Sequence, residues 1–107
     1  YIQDLIILGV KGYDTFVNDG HVQYYGVNNY TISSEEKYDA IKIATVVNKE
    51  RFIEYLVMHQ DGQTDYLTFC NHAGQCGISH WRVDIIEMTC TYFDLSGSAI
   101  LIEKIPV

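Results

Sequence analysis

The sequence predicts one α+β domain, in which helices pack on one face of a largely antiparallel sheet. Three observations carry this prediction. The chain has 107 residues, 48% of them hydrophobic, which is enough for one packed domain and not for two. Short runs rich in β-branched and aromatic residues alternate with helix-like stretches that begin at caps and end at glycines. The elements follow the order α-βββ and then αα-βββ, which predicts two related halves.

The first half opens with a short helix and a hairpin. The segment "YIQDLIILG" is typical of the end of an amphipathic helix that stops at Gly9. Two strand-like runs flank Asn18-Asp19-Gly20, a sequence that favours a hairpin turn. The polar segment "VNNYTISSEEKYD" is predicted as a loop. The β-branched run "AIKIATVV" is predicted as the third strand of this half.

The second half contains two helices and three strands. Asn48 can cap a helix over "KERFIEYLVMHQ" that ends at Gly62. Thr64 or Asp65 can cap the next helix, which runs through "YLTFCNHAGQC" to Gly77. The runs "ISHWRVDII", "TCTYFDL" and "AILIEKI" then predict three strands.

The two halves overlay without a gap when the chain is shifted by 68 residues. Gly9 then falls on Gly77, and Tyr13 falls on Trp81. The third strands match as 40–43 on 99–102 after a longer first loop. We therefore expect one domain over 1–107, with repeat halves at about 1–47 and 48–107, the first lacking its leading helix.

The segment "CNHAGQCGISHW" concentrates residue types that bind metals, yet the shift favours a structural role for its cysteines. Each cysteine of the chain falls on an aliphatic position of the other half: Cys70 on Ile2, Cys76 on Leu8 and Cys90 on Val22. His72 lies about 160° from Cys70 around the helix, so these two cannot share one ion. We expect three buried, unpaired cysteines, surface histidines at 72 and 80, and no metal or cofactor.

Charge and motifs exclude several functional classes. The net charge is −7 and only seven residues are basic, which argues against binding nucleic acid or an anionic membrane. The apolar runs are too short to span a bilayer. The sequence contains no G-x-S-x-G, G-x-G-x-x-G or P-loop motif, and we assign no catalytic residue.

The face of the sheet opposite the helices is the best candidate for binding. In the strand 78–86, Trp81 should face the helices while Arg82 faces away. The alternation and the hairpin pairing place eight residues on the second face: Asp14, His21, Gln23, Tyr25, His80, Arg82, Asp84 and Phe93. An aromatic and charged surface of this kind can dock a partner, although antiparallel sheets also commonly have one solvated face.

The segments "LGVKGYDTFVNDGHVQYYG", "KERFIEYLVMHQDGQTDYLTFC" and "GISHWRVDIIEMTCTYFDLSGSAILIEKIP" resemble the YbcV-like family, domain of unknown function 1398. This family occurs in enterobacterial prophages and other bacteria, and some members are labelled phage envelope protein. Its members are usually longer at the N terminus. The resemblance covers essentially the whole chain and implies no activity, cofactor or catalytic residue.

Two functional hypotheses remain open at this point. In the first, the protein is a cytoplasmic, non-catalytic accessory or interaction protein of bacterial or prophage origin that acts through the polar sheet face or by self-association. We favour a homodimer over a monomer, with its contact on the sheet face. In the second, a cleft between the two pseudo-symmetric halves binds a small molecule, or even converts one. Convergent polar groups with perturbed pKa values in such a cleft would favour the second hypothesis.

Overall fold

The computed structural model describes residues 1–106 and has an α+β fold, as predicted. Three helices and six strands follow the chain in the order α-βββ-αα-βββ. The helices are α1 (Ile2–Ile7), α2 (Lys49–Gln60) and α3 (Tyr66–Gln75). The strands are β1 (Val10–Phe16), β2 (Val22–Gly26), β3 (Thr31–Ser33), β4 (His80–Asp84), β5 (Thr89–Phe93) and β6 (Ala99–Lys104).

The strands form one antiparallel sheet in the order β3-β2-β1-β4-β5-β6. Strands β1 and β4 pair at its centre, whereas β3 and β6 form its edges. The β1–β2 hairpin is flanked by β3 and the β4–β5 hairpin by β6, and the two hairpins meet through their first strands.

The helix boundaries follow from the residues that cap them. Asn48 Oδ1 accepts a hydrogen bond from the backbone N–H of Arg51, and Asp65 Oδ1 accepts one from Thr68. These side chains satisfy amide groups that have no partner within the first turn of a helix. Gly77, which follows α3, has φ +86°, a left-handed conformation that glycine adopts without strain.

The core lies between the helices and one face of the sheet. The ring of Phe52 on α2 lies 6.0 Å from that of Phe69 on α3 and 5.0 Å from that of Tyr92 on β5. Trp81 is buried beneath Phe69, with ring centroids 5.7 Å apart. The prediction that Trp81 belongs to the core, opposite Arg82, is confirmed.

The prediction of a strand at "AIKIATVV" was wrong. Residues 34–47 instead form an irregular segment, here called the strap, that crosses the helical side of the molecule. The backbone amide of Ile41 donates a hydrogen bond to the Asn18 carbonyl, and the amide of Ala44 donates one to the Gly74 carbonyl. Ile41 and Ile43 are therefore partly buried against the core without a neighbouring strand, whereas Val46 is exposed.

The third strand of the first half lies earlier, inside the segment predicted as a loop. Strand β3 pairs with β2, with Ile32 opposite Tyr24. It has only three residues, all of them exposed, so neither burial nor a long alternating pattern marks it in the sequence. The element order was thus predicted correctly, but this strand was placed wrongly.

The strand registers of the two hairpins coincide under the shift of 68 residues. Tyr13 pairs with Tyr24 as Trp81 pairs with Tyr92. Asp14 pairs with Gln23 as Arg82 pairs with Thr91. The overlay of 40–43 on 99–102 does not hold, because the former residues lie in the strap.

All three cysteines are buried and none is paired with another, as expected. His72 and His80, however, are not surface residues, because both are half-buried. The His72 ring stacks on Tyr55 with centroids 3.8 Å apart, and its Nδ1 atom is buried without a hydrogen-bond partner among residues 1–106. Both imidazoles therefore pack against aromatic rings, His72 on Tyr55 and His80 on Phe93.

Candidate binding face

The side of the sheet that faces away from the helices is called the open face. Side chains alternate between the two faces along each strand. Cross-strand pairing places Asp14 opposite Arg82 and Arg82 opposite Thr91, so these three residues share the open face. The open face carries Gly12, Asp14, Phe16, Gln23, Tyr25, His80, Arg82, Asp84, Thr91, Phe93 and Ile102.

An ion pair lies at the centre of the open face. Arg82 donates from Nε to Asp14 Oδ1 at 2.7 Å and from Nη2 to Oδ2 at 3.0 Å. The Tyr25 hydroxyl donates to the same Oδ2 atom at 2.5 Å. Three hydrogen bonds thus hold the Asp14 carboxylate, which is almost completely buried, while Arg82 remains half exposed. This bidentate geometry fixes the plane of the guanidinium group.

The pKa shifts of this cluster stabilise the charged pair. Burial opposes the ionisation of Asp14, but the hydrogen bonds from Arg82 and Tyr25 and the charge of Arg82 outweigh it and lower the pKa of Asp14. The hydrogen bonds to Asp14 raise the pKa of Arg82 further. Burial, followed by the bond to Asp14, raises the pKa of Tyr25. Both members of the pair are therefore charged across the physiological range.

Two aromatic rings flank the guanidinium group of Arg82. Its Cζ atom lies 5.9 Å from the centroid of Tyr25 and 5.7 Å from that of Phe93. Tyr25 and Phe93 correspond to each other under the shift of 68 residues. These distances fall within the range of favourable cation–π contacts, so the rings shield the cation from both sides.

A row of stacked rings crosses one end of the open face. The Phe16 ring lies 4.3 Å from the ring of His21 and 5.6 Å from that of His80. The His80 ring in turn lies 4.8 Å from Phe93, at an angle of 11°. Burial lowers the pKa of His80, the Asp14 charge opposes this shift and the Arg82 charge adds to it. The row therefore favours neutral imidazole at position 80.

The remaining predicted residues take more peripheral roles. Gln23 is half-buried beside Asp14 on the neighbouring strand. Asp84 ends β4, and its Oδ1 atom accepts hydrogen bonds from the amides of Ile86 and Glu87. The structure thus brings Asp14, Tyr25, His80, Arg82 and Phe93 into one cluster. His21 reaches this cluster only through Phe16 and also contacts Asp19.

Two residues important for this face were missed in the sequence. Phe16 stands two residues after Asp14, so the same alternation that selected Asp14 could have identified it. Gly12, two residues before Asp14, lines a hollow of about 340 Å³ in the face. The hollow is lined by Lys11, Gly12, Tyr25, Arg82, Val83, Asp84 and Ile86. A missing side chain gives no pattern from which a hollow could be predicted.

Two general searches of residues 1–106 bear on the class of the protein. No helix in this part of the chain is long and apolar enough to cross a membrane. No group of three or more His, Cys, Asp and Glu side chains within the same residues is arranged to hold a metal ion.

The fold and its face define an α+β protein with a six-stranded antiparallel sheet that helices cover on one side only. A family model described as a protein of unknown function (DUF1398) matches residues 1–104. Because the match spans nearly the whole chain, the protein belongs to this family. No curated protein matches the chain.

Proposed function

We propose that this chain is a non-catalytic interaction protein that docks a protein partner through its open face, and that a second copy of the chain is one such partner. The YbcV-like resemblance further suggests a bacterial or prophage accessory protein, and the reduced, buried cysteines suit the cytoplasm. The observation that carries the proposal is the ion pair of Asp14 with Arg82, flanked by the rings of Tyr25 and Phe93.

This cluster suits docking because it is ordered before a partner arrives. Two hydrogen bonds to Asp14 neutralise and orient the guanidinium group of Arg82, so a partner need not supply a counter-charge. Tyr25, Phe93 and Arg82 are residue types enriched at the energetic centres of protein interfaces. Ile102, which is 64% exposed on β6, extends the apolar surface of the same face.

The size of the face indicates a weak association. Six strands spaced about 4.8 Å apart, each about five residues long, cover roughly 500 Å² of plane. A face-to-face dimer is therefore near the lower end of specific interfaces. The net charge of −7 on each copy adds repulsion, which salt screens. We expect a dimer in the micromolar range that tightens as ionic strength rises.

Sedimentation equilibrium at micromolar concentration, at low and high salt, tests the proposal. Tyr25→Ala combined with Phe93→Ala should weaken the dimer at least tenfold. Ile102→Lys, which leaves the ion pair intact, should weaken it as well and guards against a folding defect in the double variant. A matched control is Ile53→Ala with Leu67→Ala, at exposed positions of the helices.

The results separate the possible outcomes. A dimer that responds to the open-face variants and ignores the helix variants supports the proposal. A protein that stays monomeric at all concentrations overturns self-association. A dimer that is insensitive to both open-face variants places the contact elsewhere, for example at the exposed apolar side chains of Ile7 and Leu8.

A further inference from the structure

The hollow in the open face has an internal counterpart that is filled. Under the shift of 68 residues, Gly12 corresponds to His80 and Tyr25 to Phe93. The strand pairing agrees, because Gly12 lies opposite Asp84 as His80 lies opposite Phe16. The hollow therefore lies at the position related to that of the His80 ring, with Asp84 in the place of Phe16.

The counterpart shows what kind of group fits between these strands. The His80 imidazole stacks on Phe93 at 4.8 Å and 11°, and lies against Phe16 at 5.6 Å and 27°. A flat five-membered ring thus fills the site in one half. In the other half Gly12, which is itself buried, provides no side chain, and the hollow lies beside it and Tyr25.

Glycine at this position has a structural cause of its own. A Cβ atom at Gly12 would lie 2.7 Å from the carbonyl oxygen of Val83, a contact that the two strand backbones cannot accommodate without moving. The register of β1 with β2 also shifts between Val10 and Gly12. The close approach of the β1 and β4 backbones therefore requires glycine at position 12.

The polar groups around the hollow define the chemistry of an occupant. Arg82, fixed by Asp14, supplies donors, and Lys11 adds a second cation at the rim. Asp84 supplies a carboxylate acceptor, since only its Oδ1 atom is engaged by the turn amides. The Tyr25 ring lines the hollow at the position that corresponds to Phe93, and the Cζ atom of Arg82 lies 5.9 Å from its centroid.

We propose that this hollow binds a small planar heteroaromatic molecule whose ring stacks on Tyr25. One edge of the ring carries an acceptor toward Arg82 and a donor toward Asp84, as the lactam edge of a pyrimidine or purine base does. The volume of about 340 Å³ lies at the lower end of small-molecule sites and accommodates one or two rings. The hollow shares Tyr25 and Arg82 with the docking surface, but the binding of a small molecule there does not require a docked partner.

Amide NMR spectra of the ¹⁵N-labelled protein, titrated with uracil, test the proposal. We expect saturable shifts at Gly12, Val83 and Asp84, with a Kd on the order of 1 mM because the probe has few atoms. The matched probe is 5,6-dihydrouracil, which keeps the lactam edge but lacks an aromatic ring. It should bind at least fivefold more weakly.

Variants of the stacking residue complete the test. Tyr25→Phe keeps the ring and should retain binding within about threefold, as the stacking contribution predicts. Tyr25→Leu should abolish saturation at 10-fold higher uracil concentration. Leu67→Ala, on the opposite side of the molecule, serves as the control. The same titration in Ile102→Lys, which opposes dimer formation, keeps this result separate from that of the docking proposal.

Three results would overturn the site. They are the absence of saturable shifts up to the solubility limit of uracil, equal binding of dihydrouracil, and shifts confined to residues outside the hollow. If Tyr25→Leu unfolds the protein, the comparison of uracil with dihydrouracil on the unmodified chain still decides the matter.

Discussion

Asp14 and Arg82 lie directly opposite each other in the β1–β4 ladder, and the difference between their residue numbers is the 68-residue shift that relates the two hairpins. Position 14 in the first hairpin thus corresponds to position 82 in the second, and these two corresponding residues face each other. Identical residues at this point would place two like side chains against each other. An acid opposite a base instead forms a bidentate ion pair at the centre of the sheet.

Replacement of Arg82 alone should lower the free energy of unfolding more than replacement of both Arg82 and Asp14. Arg82→Met leaves the buried carboxylate of Asp14 with only the Tyr25 hydroxyl, and should lower the free energy of unfolding by about 1–3 kcal/mol. Asp14→Asn in the Arg82→Met background should restore part of this loss. Urea denaturation of the four proteins measures the coupling, and additive losses would show that the two residues act independently.

The ion pair should also make the stability of the folded protein sensitive to acid. The pKa of Asp14 is lowered in the folded state, so its contribution to stability is complete above the ordinary aspartate pKa of about 3.9 and disappears as pH falls through the folded value. Asp14→Asn should therefore be less stable at neutral pH but lose less stability below about pH 4. Parallel acid titration curves for the two proteins would contradict this assignment.

His80 should reduce stability in mildly acidic solution. Burial lowers its pKa in the folded state, so the unfolded chain binds the proton more readily. The free energy of unfolding should then fall as pH decreases from about 6.5 toward the folded pKa. His80→Phe keeps a ring against Phe93 without a titrating group, and its melting temperature should vary less over this window. An unchanged pH profile would show that another group dominates.

The buried thiols should be inert in the folded protein. Burial raises the pKa of Cys90 to about 11 and also raises the pKa values of Cys70 and Cys76. At pH 8, Ellman's reagent should therefore react with none of the three within minutes, and with all three after unfolding in guanidinium chloride. Rapid reaction of one thiol in the native protein would show local opening at that residue.

The turn of the first hairpin should depend on glycine because the strap covers it. Gly20 has φ +76°, and a Cβ atom there would lie 2.5 Å from the Tyr38 ring. Gly20→Ala should lower the free energy of unfolding by about 1–3 kcal/mol through backbone strain and displacement of the strap. Tyr38→Phe, which removes only the hydroxyl bond to the Val17 carbonyl, should cost about 1 kcal/mol. Equilibrium denaturation compares both variants.

The parts of the fold predicted from sequence are those governed by local rules. Asn48 and Asp65 cap helices because their side chains reach amides of the next turn. Gly20 turns the first hairpin because its positive φ is free of strain. The open face followed from strand alternation and the hairpin pairing, and the structure places Asp14, Tyr25 and Arg82 of that face in contact.

The features that were missed depend on contacts between distant residues. A β-branched run such as "AIKIATVV" can pair with a strand or fill a groove, and the sequence does not distinguish these outcomes. Here Ile41 and Ile43 pack where Gly74 leaves room on α3. The burial of His80 also depends on residues distant in the sequence, because its stacking partners Phe16 and Phe93 come from two other strands.

The central position of the β1–β4 ladder has a consequence for how the chain folds. Each hairpin closes a short loop and can form within microseconds, whereas the seam between them joins strands on either side of both long helices. Closing so long a loop carries a larger entropic cost, and such high-contact-order pairing slows folding. We therefore expect the seam to be the last part of the sheet to assemble. Until it closes, the first hairpin of one molecule can join the second hairpin of another, and refolding at high concentration should yield exchanged dimers with the same central ladder.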